Sequence, residues 1–170
     1  MQSKCIKSYF RNNYFCLCTD RYNMLSKTTE YTIRALVAIS MENENGRRPG
    51  FKEVAHITEA PEQYVAKILQ TFTKQGYLKS IRGRGGGFFF PDEETDISLY
   101  KIIVLTEGRA YFIKCGFGFN NCDAENPCPL HHEYMKIRDN FMELAKSETI
   151  RTMAAKIERG EAVLNRLSVE

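Results

Sequence analysis

The stretch YLKSIRGRGGGFFFP, residues 77–91, constrains the fold more than any other part of the chain. Gly83, Gly85, Gly86 and Gly87 crowd around one intervening arginine, with a short apolar segment on either side. Glycine reaches the positive φ values of a tight hairpin without strain and leaves the main chain bare for close approach to a partner. Arg82 and Arg84 place two positive charges at the tip of that predicted hairpin.

Three helices are predicted ahead of it. Ser26 stands where an N-cap belongs, and SKTTEYTIRALVAISME carries Tyr31, Ala35 and Ala38 at helical spacing, with Leu36, Val37 and Ile39 beside them. NENGRRPG supplies the turn residues that end this helix. A short helix follows over Lys52–Ile57. Pro61 lies where a first helical residue is expected, opening a third helix over Pro61–Gln75 with Val65, Ile68, Leu69 and Phe72 inward and Gly76 as its stop. Helix, helix–turn–helix and basic hairpin, in that order, predict a winged helix–turn–helix: mainly α, with a small β-hairpin wing.

Further along, a helix is predicted at about Leu99–Glu107, then a cysteine-bearing loop over 108–128 and a long helix from Pro129 to about Ser147. Tyr134, Ile137, Phe141, Leu144 and Ala145 recur on it at steps of three and four. Thr149 can cap a last helix, IRTMAAKIE. A long one-sided helix at the end of a small domain is suited to packing against its twin, so a dimerisation helix and a homodimer are expected. The predicted organisation is a flexible N-terminal extension over 1–23, a DNA-binding domain over 24–92, a linking helix and cysteine loop over 93–128, and the dimerisation and final helices over 129–170.

Composition and charge narrow the function. Hydrophobic residues are 43% of the chain, enough for a core. No apolar run approaches the roughly 18 residues of a membrane span. The first 23 residues hold no sustained apolar segment of a secretory signal, which points to a cytoplasmic protein and to Met24 as the natural start of the folded unit. Net charge is only +3, but it is uneven: residues 24–90 carry ten Lys and Arg against six Asp and Glu, and residues 91–170 carry ten against fourteen. A basic head on an acidic remainder suits a nucleic-acid partner. On the predicted reading helix Gln63, Tyr64 and Lys67, behind Glu62, are placed for base edges and phosphates. Arg82, Gly83 and Arg84 suit the backbone or the minor groove. Thr28, Thr29 and Lys52 lie near helix starts, where hydroxyls and N–H groups meet phosphates. No spacing of Ser, His and carboxylates suggests a nucleophile with its base, so an enzyme is not expected.

Six cysteines fall in two groups. Cys5, Cys16 and Cys18 fit no metal-site spacing and read as ordinary thiols. Cys115, Cys122 and Cys128 stand apart by six and five residues on a loop rich in Gly and Asn, and His131 follows two residues after the last. Structural zinc usually recruits closely paired cysteines. Wider single gaps wrap a larger object, so an iron–sulfur cluster leads, with zinc and redox thiols as the alternatives. His131 is a candidate fourth ligand, and Glu30, arriving from a second subunit, is the competing carboxylate.

Residues 24–160 as a whole resemble the winged-helix repressor family that includes the iron–sulfur cluster assembly regulator (IscR) and the nitric-oxide-sensing repressor (NsrR). MLSKTTEYTIRAL, YVAKILQTFTKQGYL, SIRGRGGGFFF and the three-cysteine loop carry the resemblance. It implies a cluster, most often [2Fe–2S], on Cys115, Cys122 and Cys128, and a double-stranded DNA operator whose occupancy the cluster controls in response to redox state, nitric oxide or iron–sulfur status. The step from Cys128 to His131 is similar to the cluster-assembly regulator, and Glu30 to the nitric-oxide sensor. Two departures stand out: the first cysteine gap is one residue longer, and Ala66 replaces an acidic residue of the reading helix.

Overall fold

The computed structural model describes the backbone of residues 6–8 and 15–17, and residues 24–92, 96–117 and 122–165 in full. Two short strands, β1 (Ile6–Ser8) and β2 (Phe15–Leu17), pair antiparallel with Lys7 opposite Cys16. Cys5, Cys18 and the rest of the expected extension lie outside the described residues. The helices are α1 (Lys27–Glu44), α2 (Phe51–Ile57), α3 (Glu62–Lys74), α4 (Leu99–Glu107), α5 (His131–Ser147) and α6 (Ile150–Glu158). A hairpin of β3 (Lys79–Ile81) and β4 (Gly87–Phe89) stands between α3 and α4, with Ser80 opposite Phe88. The result is the mainly helical winged helix–turn–helix with a long C-terminal helix. No helix among the described residues is long and apolar enough to cross a membrane.

Helix α1 is the hub. Ser26 caps it, its hydroxyl accepting from Thr29 N. Ala35, Leu36, Val37, Ala38 and Ile39 are all buried, and a helix apolar on consecutive positions has to be enclosed on every side. The main core gathers Leu36 and Ile39 with Val54 of α2, Val65, Leu69 and Phe72 of α3, and Ile150 and Ala154 of α6. Truncating a fully buried leucine such as Leu36 to alanine costs about 2–5 kcal/mol.

The chain departs from the sequence expectation at three places. Pro61 is the N-cap of α3 rather than its first residue, because its ψ of 131° keeps it extended. Within the expected loop, Arg109–Phe112 form a 3-10 turn. Buried Phe112 joins Ile103 of α4 and Ala145 of α5 in a second core, its ring stacked 4.8 Å from Tyr100 and 5.9 Å from Phe141. The apolar stripe of α5 divides: Ala145 and Phe141 pack inward, while Ile137 and Leu144 remain 61% and 52% exposed. The Thr149 cap of α6 is present as a full capping box with Thr152. Bonds from Leu99 N to Glu148 O and from Ile150 N to Ile97 O tie the start of α4 to the junction of α5 and α6.

Candidate nucleic-acid interface and cysteine loop

The exposed face of α3 and the hairpin form one basic surface. Glu62, Gln63, Tyr64 and Lys67 all point outward from the first two turns of α3, and Tyr64 leans toward Tyr31 of α1 with ring centroids 6.0 Å apart. Arg82, Gly83 and Arg84 are exposed at the hairpin tip, and Thr28 and Lys52 at their helix starts. A cleft of about 480 Å³ separates α3 from the hairpin, lined by Lys67, Gln70, Lys74 and Ser80. Gln70 and Lys74 extend the exposed row of Lys67 by three and seven residues, a helical period on the outward side of α3. Arg48 reads in the sequence as part of the turn after α1. Its guanidinium lies 4.6 Å from the Phe89 ring centroid, at the foot of the hairpin.

Thr29, expected among the DNA contacts, does not belong to this surface. Its side chain is fully buried, and its hydroxyl bonds Thr106 Oγ1 at 2.7 Å and donates to Glu107 Oε1. Ser26 N donates to the same Glu107 oxygen at 2.8 Å, and Tyr111 OH to Met24 O at 2.8 Å. Burial pushes the Glu107 carboxyl up, but the Thr29 and Ser26 donors outweigh it and hold the group below its ordinary range. The start of α1 is thereby fastened to the end of α4, eight residues ahead of Cys115.

The cysteine loop is held at two points. Asp123 accepts from Glu125 N at 2.9 Å and Asn126 Nδ2 at 3.2 Å, an Asx-turn between Cys122 and Cys128. On the other arm, a Cβ on Gly116 would come within 2.5 Å of the Tyr134 hydroxyl, so the chain beside Cys115 lies close on the Tyr134 ring of α5. Phe117 packs edge-on against the same Tyr134 ring at 5.3 Å. Cys115, Cys122 and Cys128 are free, half-buried thiols. His131, the first residue of α5, is 3% exposed, and its Nδ1 lies 3.4 Å from Cys122 Sγ. His131 N donates to Cys128 O at 3.0 Å.

The structure thus brings His131 and Cys122 together. Among the described residues no three His, Cys, Asp or Glu side chains converge on one point, so Cys115 and Cys128 flank this pair without closing on it. Glu30 stays on the surface of its own helix, bridged to Lys27 at 2.6 Å and Arg34 at 2.7 Å. The donor set of three half-buried thiols and a buried imidazole at the mouth of α5 has the chemistry that an iron–sulfur cluster requires.

A helix–turn–helix with a basic hairpin behind its reading helix defines the winged-helix class of transcription regulators. The chain belongs to the Rrf2 family, described as iron-dependent transcriptional regulators, which matches residues 25–156. It is 24% identical to the transcriptional regulator NsrR of Oceanobacillus iheyensis, over 86% of this chain and 97% of that one. Among solved structures it is similar to CymR, the global cysteine regulator of B. subtilis, with a TM-score of 0.60, 24% identity and coverage of 77% of this chain and 95% of that one. T. potens IscR also superposes with a TM-score of 0.60, at 19% identity, covering 82% and 91%. These two likenesses establish the fold.

Proposed function

We propose that this transcriptional regulator is a homodimeric repressor that docks α3 and the wing on duplex DNA and carries an iron–sulfur cluster on Cys115, Cys122, Cys128 and His131. The observation that carries the cluster reading is the buried His131 imidazole held 3.4 Å from the Cys122 thiol. An exposed histidine there would be a solvated residue of the helix start; this one is turned inward against a cysteine. Glu30 is the weaker candidate, since it would have to abandon two cations to serve a second subunit. When bound, a cluster supplies a redox-responsive and nitric-oxide-reactive anchor for the loop.

The protein's own residues then link loop to reading head. Cys128 and His131 sit at the first turn of α5, while the arm with Cys115 continues from the 3-10 turn and Glu107, whose carboxylate grips Ser26 and Thr29 at the start of α1. Displacing that arm alters how α1, and the α3 packed on it, are presented. The dimer reading rests on α5: Leu130, Ile137 and Leu144 recur every seven residues, and all three are at least 48% exposed. A seven-residue apolar row left in solvent fits a paired helix.

The test is anaerobic purification with visible absorption, iron and acid-labile sulfide measured on one sample, beside duplex binding across salt concentrations. Broad bands between about 300 and 600 nm with matching iron and sulfide support the cluster reading, and their loss in His131→Ala identifies the fourth ligand. A colourless protein with bound zinc, or with neither metal nor sulfide after reconstitution, replaces it with a zinc- or thiol-based regulator. Duplex binding that weakens with salt supports the docking face in either case.

A further inference from the structure

We infer that Asn43, at the end of α1, is the positioning residue that sets the attitude of the wing, a role that rests on the wing being a DNA contact. The hairpin has only two strands, and an isolated pair of strands is marginal in water. Its outer edge, along β4, offers the N–H and C=O of Phe88 and the N–H of Phe90. Asn43 satisfies two of these three with one planar amide. Its Nδ2 donates to Phe88 O at 3.2 Å, and its Oδ1 accepts from Phe90 N at 3.0 Å. The third, Phe88 N, donates to Pro49 O at 3.0 Å. The side chain and the carbonyl together act as the missing third strand.

The same amide reaches the loop beneath. Asn43 Nδ2 also donates to Arg47 O at 2.9 Å, so one side chain ties α1, the 45–50 loop and β4 together. The approach is tight: a Cβ on Gly87 would lie 2.0 Å from Arg48 O. No shorter or purely accepting side chain can do this work. Aspartate would keep the bond from Phe90 N but set a carboxylate against two carbonyl oxygens, and alanine would leave the edge unpaired. Because α1 also packs against α3, Asn43 fixes the distance between the reading helix and Arg82 and Arg84 without touching DNA itself.

The test combines amide hydrogen exchange with binding of a random-sequence 30-base-pair duplex, read by fluorescence anisotropy across salt on the full chain. Asn43→Ala should speed exchange at Phe90 N–H about tenfold, the equivalent of one or two net hydrogen bonds, while Leu69 N–H in α3 is unchanged. It should also weaken duplex binding about tenfold and flatten the salt slope as Arg82→Ala with Arg84→Ala does. Added to that arginine pair, Asn43→Ala should cost nothing further. Unchanged exchange at Phe90, or a loss that adds fully to the arginine pair, overturns the role of Asn43. If instead the arginine pair itself leaves affinity and slope untouched, the docking face is what fails, and Phe90 exchange still decides whether Asn43 holds the wing. Should the alanine variant not fold, the isosteric Asn43→Asp serves for the exchange measurement, with faster exchange at the Arg82–Gly87 tip expected and wild-type rates refuting the clamp.

Discussion

Replacing Thr29 by valine separates burial from DNA contact at a single hydroxyl. Valine keeps the branched shape in a site with no exposed surface, so packing is retained and only the hydroxyl's bonds to Ser26, Thr106 and Glu107 are lost. A hydrogen bond to a charged group is worth about 1.5–3 kcal/mol. Glu107 is only partly enclosed and regains water when its donor goes, so the lower end applies, about 1.5 kcal/mol. For a chain of this size that corresponds to a fall in Tm of about 3–6 °C. The control is its neighbour: Thr28 is exposed, so Thr28→Val should leave stability within about 0.5 kcal/mol and instead weaken duplex binding. Thermal unfolding and fluorescence anisotropy on the two variants give both readings. If Thr29→Val melts like the wild type yet loses DNA affinity, its hydroxyl faces the duplex and the reasoning from burial is refuted.

Three further outcomes are expected. Gly87→Ala drives a methyl into Arg48 O at a φ of 148°, costing on the order of 3 kcal/mol of unfolding free energy in urea titration from overpacking and strain combined. Ile137→Glu with Leu144→Glu, both on exposed positions of α5, should convert a dimer to a monomer in sedimentation velocity with the melting curve little changed; a persistent dimer would place the interface elsewhere. Because the folded state holds the Glu107 carboxyl below its ordinary range, its stabilisation is complete above the ordinary carboxylate pKa of about 4.3 and is lost as pH falls through the lowered value, so Glu107→Gln should flatten the dependence of Tm on pH below about 5.

Much of the reading head was legible because its signals are local. Val65, Ile68, Leu69 and Phe72 repeat at helical spacing and are buried together, Ser26 and Thr149 cap the helices they precede, and the glycine run could only be a hairpin. What stayed hidden depends on partners far along the chain. Thr29 looks like any hydroxyl at a helix start, and its bonds to Thr106 and Glu107 span 77 and 78 residues, a separation no spacing rule reaches. Asn43 reads as turn chemistry for the same reason, its partners at Phe88 and Phe90 lying 45 and 47 residues on. The stripe on α5 showed apolar positions but not that they serve two surfaces, since periodicity marks a face without naming what covers it. At the cysteine loop, residue type gave the donors, whereas the inward turn of His131 toward Cys122 is a property of the folded α5 entrance.

The last helix, α6, lends its Ile150 and Ala154 to the core built around the first, α1. A growing polypeptide therefore cannot finish its reading head when residue 92 has been made, although α3 and the hairpin are already in place. The seal comes only after the cysteine loop and α5 have been made. A fragment cut before α6 keeps the cysteine loop but leaves the core around α1 open.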